Sequence, residues 1–345
     1  MERLAVLLPC FNEELVIKDA ILSVLATGLP EENVFVIDDC STDNSANIAK
    51  SLGVNIISNP SNIGKTRGIE SATQILLLKD RFKFISILDA DTTVDKGYFQ
   101  HVLKSFDSDP NIAGVCGQPM SKFHNWLTAY RALEYALVHV VYKEGQSALG
   151  VINVSAGCAT TYRIDVLAEI EWHPYEIVIE DADVAPQVHR KKLGSIVYNK
   201  RAVVHTQDPN TLHAYAKQCR RWYTGIWQTW IVYKIPFGGQ RIDLESVLIG
   251  GETLLSSVIV LLTPVWFYIT PYWTIRAVCI SLVINFLINV YFSTKLRRLD
   301  ILAFSPFFVI PRTINRVVYL VSFWDAIVRK KKAHGVWQSP RRYAK

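Results

Sequence analysis

Four short polar strings in this chain combine residue types and spacings that can do chemistry. Asp89-Ala90-Asp91 follows the apolar run Phe84-Ile85-Ser86-Ile87-Leu88, so two carboxylates stand one residue apart where a stretch of strand length stops. Such a pair offers hard oxygen ligands to Mg2+ or Mn2+, which bridges to a diphosphate. Asp38-Asp39 ends a second apolar run, Val34-Phe35-Val36-Ile37. Ile179-Glu180-Asp181 opens Ala182-Asp183-Val184 at an expected helix start, where a carboxylate complements the helix dipole or serves as a base. Gln218-Cys219-Arg220-Arg221-Trp222 places an amide, a guanidinium and an indole at i, i+3 and i+4, on one helical face.

These strings need elements to carry them. Leu4-Ala5-Val6-Leu7-Leu8 reads as a strand, and Leu15, Ile17, Ile21, Leu22 and Leu25 then recur at helical spacing. Ser41-Thr42-Asp43-Asn44-Ser45 supplies N-cap chemistry for a second helix. Val54-Asn55-Ile56-Ile57 is a third strand, and Gly64-Lys65-Thr66 opens a helix of about fifteen residues. This last string is no phosphate loop, because Asn59 stands where the first glycine of that pattern belongs. The alternation predicts a mostly parallel α/β sheet over roughly the first 115 residues, with three strands delivering polar groups to one edge, where ligands collect. No Gly-x-Gly-x-x-Gly is present, which disfavours a dinucleotide dehydrogenase. Further on, residues 125–142 read as a long helix and Val151-Ile152-Asn153-Val154 as a strand.

Of the 345 residues 50% are hydrophobic and the mean hydropathy is positive, at +0.17, which suits one domain joined to a membrane region. Residues 247–294 carry only two charges, Glu252 and Arg276. Within them, 247–270 and 275–294 are of spanning length and are separated by Pro271-Tyr272-Trp273-Thr274, so a transmembrane helical hairpin is expected. Lys234 and Arg241 precede it and Lys295, Arg297 and Arg298 follow, placing both ends on the cytoplasmic side. Residues 301–324 are interrupted by Pro306, Pro311, Arg312, Asn315 and Arg316, which favours helices lying at the interface. The expected division is a cytosolic catalytic domain over 1–240, the hairpin over 241–300, and interfacial helices with a basic cytosolic tail over 301–345. That tail includes Gly335-Val336-Trp337-Gln338-Ser339-Pro340-Arg341 and supplies much of the net charge of +6. Basic residues beside apolar spans point to anionic membrane lipids, and no nucleic-acid module is recognisable. The six cysteines are scattered, without metal-site or disulfide spacing, and suit a reducing compartment. The run at residues 4–8 is too short for a signal-peptide core.

Pro9-Cys10-Phe11-Asn12-Glu13, Asp38-Asp39-Cys40-Ser41-Thr42-Asp43, Asn62-Ile63-Gly64-Lys65 and Asp89-Ala90-Asp91 together resemble the successive nucleotide-sugar motifs of inverting family 2 glycosyltransferases with the GT-A fold. The resemblance implies that Pro9, Phe11, Glu13, Asp39 and Lys65 surround a uridine, and that Asp89 and Asp91 handle ribose, diphosphate and a Mg2+ or Mn2+ ion. Glu180-Asp181 and Gln218-x-x-Arg221-Trp222 look like signatures of the membrane-bound branch that makes cellulose, chitin, hyaluronan and poly-N-acetylglucosamine. Gly157 falls in a segment similar to that branch's acceptor side. The likeness spans most of residues 1–235, with two departures: Ile179 replaces a usual Thr, and Thr206-Gln207-Asp208-Pro209 stands where Thr-Glu-x-Pro is common.

The implied activity is transfer of a sugar, N-acetylglucosamine or glucose, from a UDP-sugar to a glycan acceptor with a β-linkage. Asp181 is the expected base with Glu180 beside it, Arg221 a cation for the diphosphate, and Gln218 and Trp222 acceptor contacts. Transfer of a single sugar to a lipid acceptor such as a polyprenyl phosphate or ceramide is the alternative. A nucleotidyltransferase shares the paired carboxylates, but Gln-x-x-Arg-Trp speaks against it. Two spans cannot enclose a polar path wide enough for a sugar chain, so an exported polymer calls for a second copy or a helper membrane subunit.

Overall fold

The computed structural model describes residues 1–78, 80–330 and 342–343. Strands β1 (Leu4–Cys10), β2 (Val34–Asp38), β3 (Asn55–Ser58) and β4 (Phe84–Ile87) run parallel in the order β3-β2-β1-β4. Helices α1 (Ile17–Leu25), α2 (Ser45–Ser51) and α3 (Lys65–Leu77) make the crossovers. Every residue of β1 and β2 is buried, as helices on both faces of a parallel sheet require. The register pairs Cys10 with Asp38, Asp38 with Ser58, and Leu7 with Ile87. The carboxyl ends of β1, β2 and β4 therefore lie level, and the polar strings that follow them open on one edge.

The sheet is larger than the alternation predicts. It continues through β5 (Thr93–Val94), α4 (Tyr98–Ser108), β6 (Ile112–Ser121), β7 (Thr160–Arg163) and β8 (Ser195–Thr206) to eight strands in the order β3-β2-β1-β4-β7-β6-β8-β5. β7 lies antiparallel to both β4 and β6. Its presence corrects one expectation: residues 151–154 are irregular, not a strand, because β7 takes the ladder position beside β4.

The helix expected at 125–142 begins as α5 (Trp126–Ala136), where the Asn125 side chain accepts from the Leu127 and Thr128 N–H groups in a capping box. It passes through a π-helical turn, Leu137–Lys143, into α6 (Glu144–Leu149), which Gly150 closes at φ 66°. Then follow α7 (Ile164–Ala168), α8 (Asp181–Arg190) and α9 (Leu212–Val232).

Two long apolar helices come next, α10 (Arg241–Ile269) and α11 (Pro271–Leu296), with Thr270 alone between them. The expected four-residue link is shorter, since Pro271 serves as the first residue of α11. Both are long and apolar enough to cross a membrane, and only 17% and 11% of their most apolar windows are buried, so they are not core helices of the sheet domain. Arg276 lies over Tyr272 and Trp273 at the turn, 5.4 and 5.3 Å from the ring centroids. Residues 301–324 break into α12 (Leu299–Ala303), a 3-10 turn at Ser305–Phe308 and α13 (Val309–Phe323). α13 packs on α9 and α10 through Tyr319, continues as a π-helical stretch over Trp324–Val328, and leaves Ile310, Val317 and Val321 exposed. The expected cytosolic placement of 335–341 lies outside the described residues.

Candidate active site

On the donor edge, Asp39 is buried and fully engaged. Its Oδ1 accepts from Asn59 Nδ2 and the Ile63 N–H, and its Oδ2 from the Gly64 N–H, all at 2.9 Å. It thereby shapes the loop leading to α3, where Gly64 takes φ 89°, a conformation that side chains disfavour. Lys65, the first residue of α3, reaches across the edge: its Nζ lies 2.5 Å from Asp89 Oδ1 and 2.5 Å from Glu180 Oε1. Burial opposes the Lys65 charge, but the two carboxylates outweigh it and hold its pKa above the ordinary lysine value. Burial likewise works to raise the Asp89 pKa, and Lys65, with Arg342 and Arg221, more than offsets it, so Asp89 stays below the usual carboxylate range. Lys65 thus stands between the expected diphosphate carboxylate and the expected base pair.

Asp91 meets a partner that sequence reasoning missed. Arg342 donates from Nη1 to Asp91 Oδ2 at 2.5 Å, and from Nε and Nη2 to the two oxygens of Glu13 at 2.6 and 2.7 Å. The Tyr343 ring beside it packs tilted against His124, with centroids 4.2 Å apart, and its N–H and carbonyl bond the Gln207 side chain. In the sequence, Arg342 was one of many basic residues near the C-terminus, with nothing to single it out. Burial raises the Asp91 pKa against the pull of Arg342.

Among the described residues no group of three or more His, Cys, Asp or Glu forms a metal cage. Asp91 and Glu13 nevertheless converge on one cationic group, so the place suits positive charge. Mg2+ and its like take one or two carboxylates and complete their shell with phosphate oxygens and water, which fits Asp91 here. Asp89 faces Lys65 and is less well placed for that purpose.

On the opposite side Asp181 is the first residue of α8, and its Oδ2 accepts the Gly157 N–H at 3.2 Å. A Cβ on Gly157 would stand 3.0 Å from Glu180 Oε1 and 3.2 Å from Asp181 Oδ2, so a side chain here would press on the two carboxylates. Burial and the adjacent Glu180 push the Asp181 pKa up to about 7, against Lys65. Ile87, Tyr162, Trp172 and Val184 line the dry niche behind it. A carboxylate poised near neutrality suits proton abstraction. Asp183, two residues on, is buried: it accepts the His173 N–H at 2.9 Å and the Tyr233 hydroxyl, tying α8 to α9.

The residues of the α9 string divide. Arg221 is exposed and acts on Asp89 through its charge. Trp222 packs with Ile177, Ile179 and Val154, and its ring carries the Arg131 guanidinium 4.8 Å from the centroid. Its role as a flat face for an acceptor ring therefore rests on whatever surface the packing leaves. The Gln218 Oε1 is buried without a hydrogen bond among the described residues. At the two departures, Ile179 packs directly over Gly225, where no side chain would fit, and Gln207, in place of the usual Glu, exchanges two hydrogen bonds with the Tyr343 backbone.

An open sheet with carboxylates level at its strand ends, facing a helix that begins with a half-buried acid, defines a glycosyltransferase of the GT-A kind. The chain belongs to the glycosyltransferase-like family 2, whose model matches residues 2–225. It is similar to the poly-β-1,6-N-acetyl-D-glucosamine synthase of Staphylococcus epidermidis, with 23% identity over 99% of this chain and 88% of the relative. The Staphylococcus aureus synthase of the same name is 26% identical over 65% of this chain and 55% of the relative. Among solved structures, a mannosyltransferase of Pyrobaculum calidifontis in complex with GDP-Man and Mn2+ superposes with a TM-score of 0.59 at 13% identity, covering 94% of this chain and 87% of that one. TarS residues 1–349 of S. aureus with UDP-GlcNAc gives 0.50 at 14%, covering 95% and 92%. These two share the fold.

Proposed function

We propose that the protein is a membrane-attached inverting glycosyltransferase that transfers N-acetylglucosamine from UDP-N-acetylglucosamine to a sugar hydroxyl in β-linkage. The carrying observation is the Lys65 bridge, 2.5 Å from both Asp89 and Glu180, which sets the donor carboxylates and the base pair side by side. The names of the full-length relatives support the choice of sugar. Asp181 accepts the proton of the acceptor hydroxyl as that oxygen forms its bond to the anomeric carbon and the bond to the diphosphate breaks. Lys65 and Arg221 carry positive charge toward the departing UDP. A Mg2+ or Mn2+ ion held by Asp91 with the diphosphate would supply further positive charge to the leaving group. Gly157 brings its backbone N–H against the base, and Gln218 offers an amide oxygen with no hydrogen bond among the described residues.

The test is a panel of UDP-sugars given to the protein in detergent or membranes, with UDP release measured and products sized. β-Linked oligosaccharides from UDP-N-acetylglucosamine are expected. A single sugar on an extracted lipid would favour the lipid-acceptor reading, and pyrophosphate release in place of UDP would exclude transfer of this kind. In the membrane, α10 and α11 would form a hairpin whose turn is outside, with the catalytic domain and C-terminus cytoplasmic. Single cysteines placed at 271–274, in a background without native cysteines, should label from outside, and a reporter after Lys345 should remain inside.

A further inference from the structure

The segment 151–157 delivers the Gly157 N–H to Asp181, yet it has no strand partner to hold it. Its support is a buried polar cluster at the end of the π-helical turn. Lys143 Nζ donates to Gln146 Oε1 at 2.9 Å and to Asn153 Oδ1 at 3.4 Å, and Gln146 Nε2 donates to Asn153 Oδ1 at 3.1 Å. His189 Nε2 holds the Ile152 carbonyl at 2.9 Å, and Cys116 Sγ accepts the Ala156 N–H at 3.3 Å. The cluster is anchored outside the sheet domain: Gln146 Nε2 also donates to Glu245 Oε1 at 2.9 Å, near the start of α10. Two residues earlier, Asp243 accepts from Arg190 Nη2 at 2.6 Å, which pins the far end of α8. Both supports of Asp181 therefore end on the first turns of α10.

Lys143 is the unusual member. It is 6% exposed, and its ammonium bonds two amide oxygens with no carboxylate at ion-pair distance among the described residues. A buried cation so placed is costly, and a methionine would fill the space without that cost. Burial lowers its pKa to about 8, with the Asp181 and Glu245 carboxylates acting to keep it charged. His139, whose Nδ1 is buried without a partner, is pushed down to about 3 by burial and then by Lys143 and Arg131, so it adds no charge. Burial raises the Cys116 thiol, which stays neutral. The groups facing Asp181 are thus Glu180, Lys65 from α3, Asp89 after β4, neutral Cys116 and Tyr162 from the sheet, and Lys143 behind it.

We propose that Lys143 is a positioning residue for the base, clamping Asn153 and Gln146 so that segment 151–157 presents Gly157 to Asp181, and holding a positive charge behind that carboxylate. The assembly is braced from α10 through Glu245. The proposal rests on Asp181 being the base.

The experiment compares Lys143→Met, Lys143→Gln and Asp181→Asn in the full-length protein in detergent. UDP release is followed against pH, and rates are normalised to sites that bind UDP by calorimetry. For both Lys143 variants kcat should fall about tenfold or more, with the UDP-sugar KM within about twofold, as misplacement of a base requires. The acid limb of the rate profile should move up by about half a pH unit or more, because a positive charge near the base is gone. An unmoved acid limb and unchanged kcat per UDP-binding site, beside a lower melting temperature, would make Lys143 a packing residue and overturn the proposal. Should neither variant fold, Asn153→Ala must lower kcat at constant KM, and unchanged kcat there overturns the clamp. Near-normal turnover in Asp181→Asn would instead overturn the base assignment itself.

Discussion

The donor and acceptor halves of the site are built by different means. The donor half hangs on the parallel ladder: Asp39 follows directly on the end of β2, Asp89 and Asp91 stand just beyond the end of β4, and the register of β1, β2 and β4 brings them to one edge. Asp39 in turn shapes the loop before α3 through the Gly64 N–H. The acceptor half has no such frame. Asp181 is placed by Gly157 from an irregular segment, Asp183 is tied to His173 and Tyr233, and Arg190 and Gln146 reach α10. A backbone ladder resists single substitutions, whereas buried polar side chains lose their arrangement when one partner is removed. Lys65 is where the halves meet, and Arg342 spans two residues of the donor half from the other end of the chain.

The largest effect should come from the acceptor half. Asp181→Asn should lower transfer by about a hundredfold or more while calorimetry finds UDP affinity intact, the usual scale for a lost general base. Stability should move the other way. The Asp181 pKa is raised from 3.8 to about 7, so between those values the folded chain binds more protons than the unfolded one, and stability falls as pH rises through that window. The Asn variant escapes this loss and should gain about 1–2 kcal/mol over wild type at pH 8 while gaining nothing near pH 3. Denaturant titrations at the two pH values measure it; an equal difference at both would show that Asp181 is not strained by burial.

In the donor half, Asp91→Asn should weaken UDP binding in Mg2+ or Mn2+ by about tenfold and leave binding in chelator unchanged, because an amide is a poor partner for a hard cation. Equal affinity with and without metal in both proteins would remove Asp91 from that role. Lys65→Met tests the junction and should touch both halves together: the UDP-sugar KM rises about fivefold, and the acid limb of the rate moves up because Lys65 holds the Asp181 pKa down. A change in KM alone would confine Lys65 to the donor.

The smallest effect belongs to Arg342. Its removal takes away the cation that Glu13 and Asp91, 1% and 6% exposed, share. Arg342→Ala should therefore melt a few degrees lower in chelator, and Mn2+ alone should raise its melting temperature by about 2–4 °C more than it raises that of the wild type. Equal metal shifts would mean that the ion and Arg342 do not share these carboxylates.

Legibility in the sequence follows the same division. Donor residues lie within a few positions of apolar runs, so Asp39, Lys65, Asp89 and Asp91 could be read with their elements. Asp181 could be read as a half-buried acid at a helix start only through its likeness to a family string. Asp183, Asp208 and Arg131 could not be read, since each looks like an ordinary surface charge until the fold buries it. Arg342 had no local signal, and neither did Lys143, which sits in an apparently regular helix and is set inward by the π-helical turn.

By itself the sequence determined the parallel half of the sheet, the edge that carries the carboxylates, and the two long apolar helices, because these depend on hydrophobic periodicity and run length within one segment. The tertiary structure alone decided that β7 displaces residues 151–154 from the ladder, that Lys65 joins Asp89 to Glu180, that Arg342 closes on Asp91, and that the supports of Asp181 end on α10. These are bonds between segments 24 to 251 residues apart. No local pattern encodes them, because which buried charges meet is settled only when the packing of every element has fixed which side chains are shut away from water.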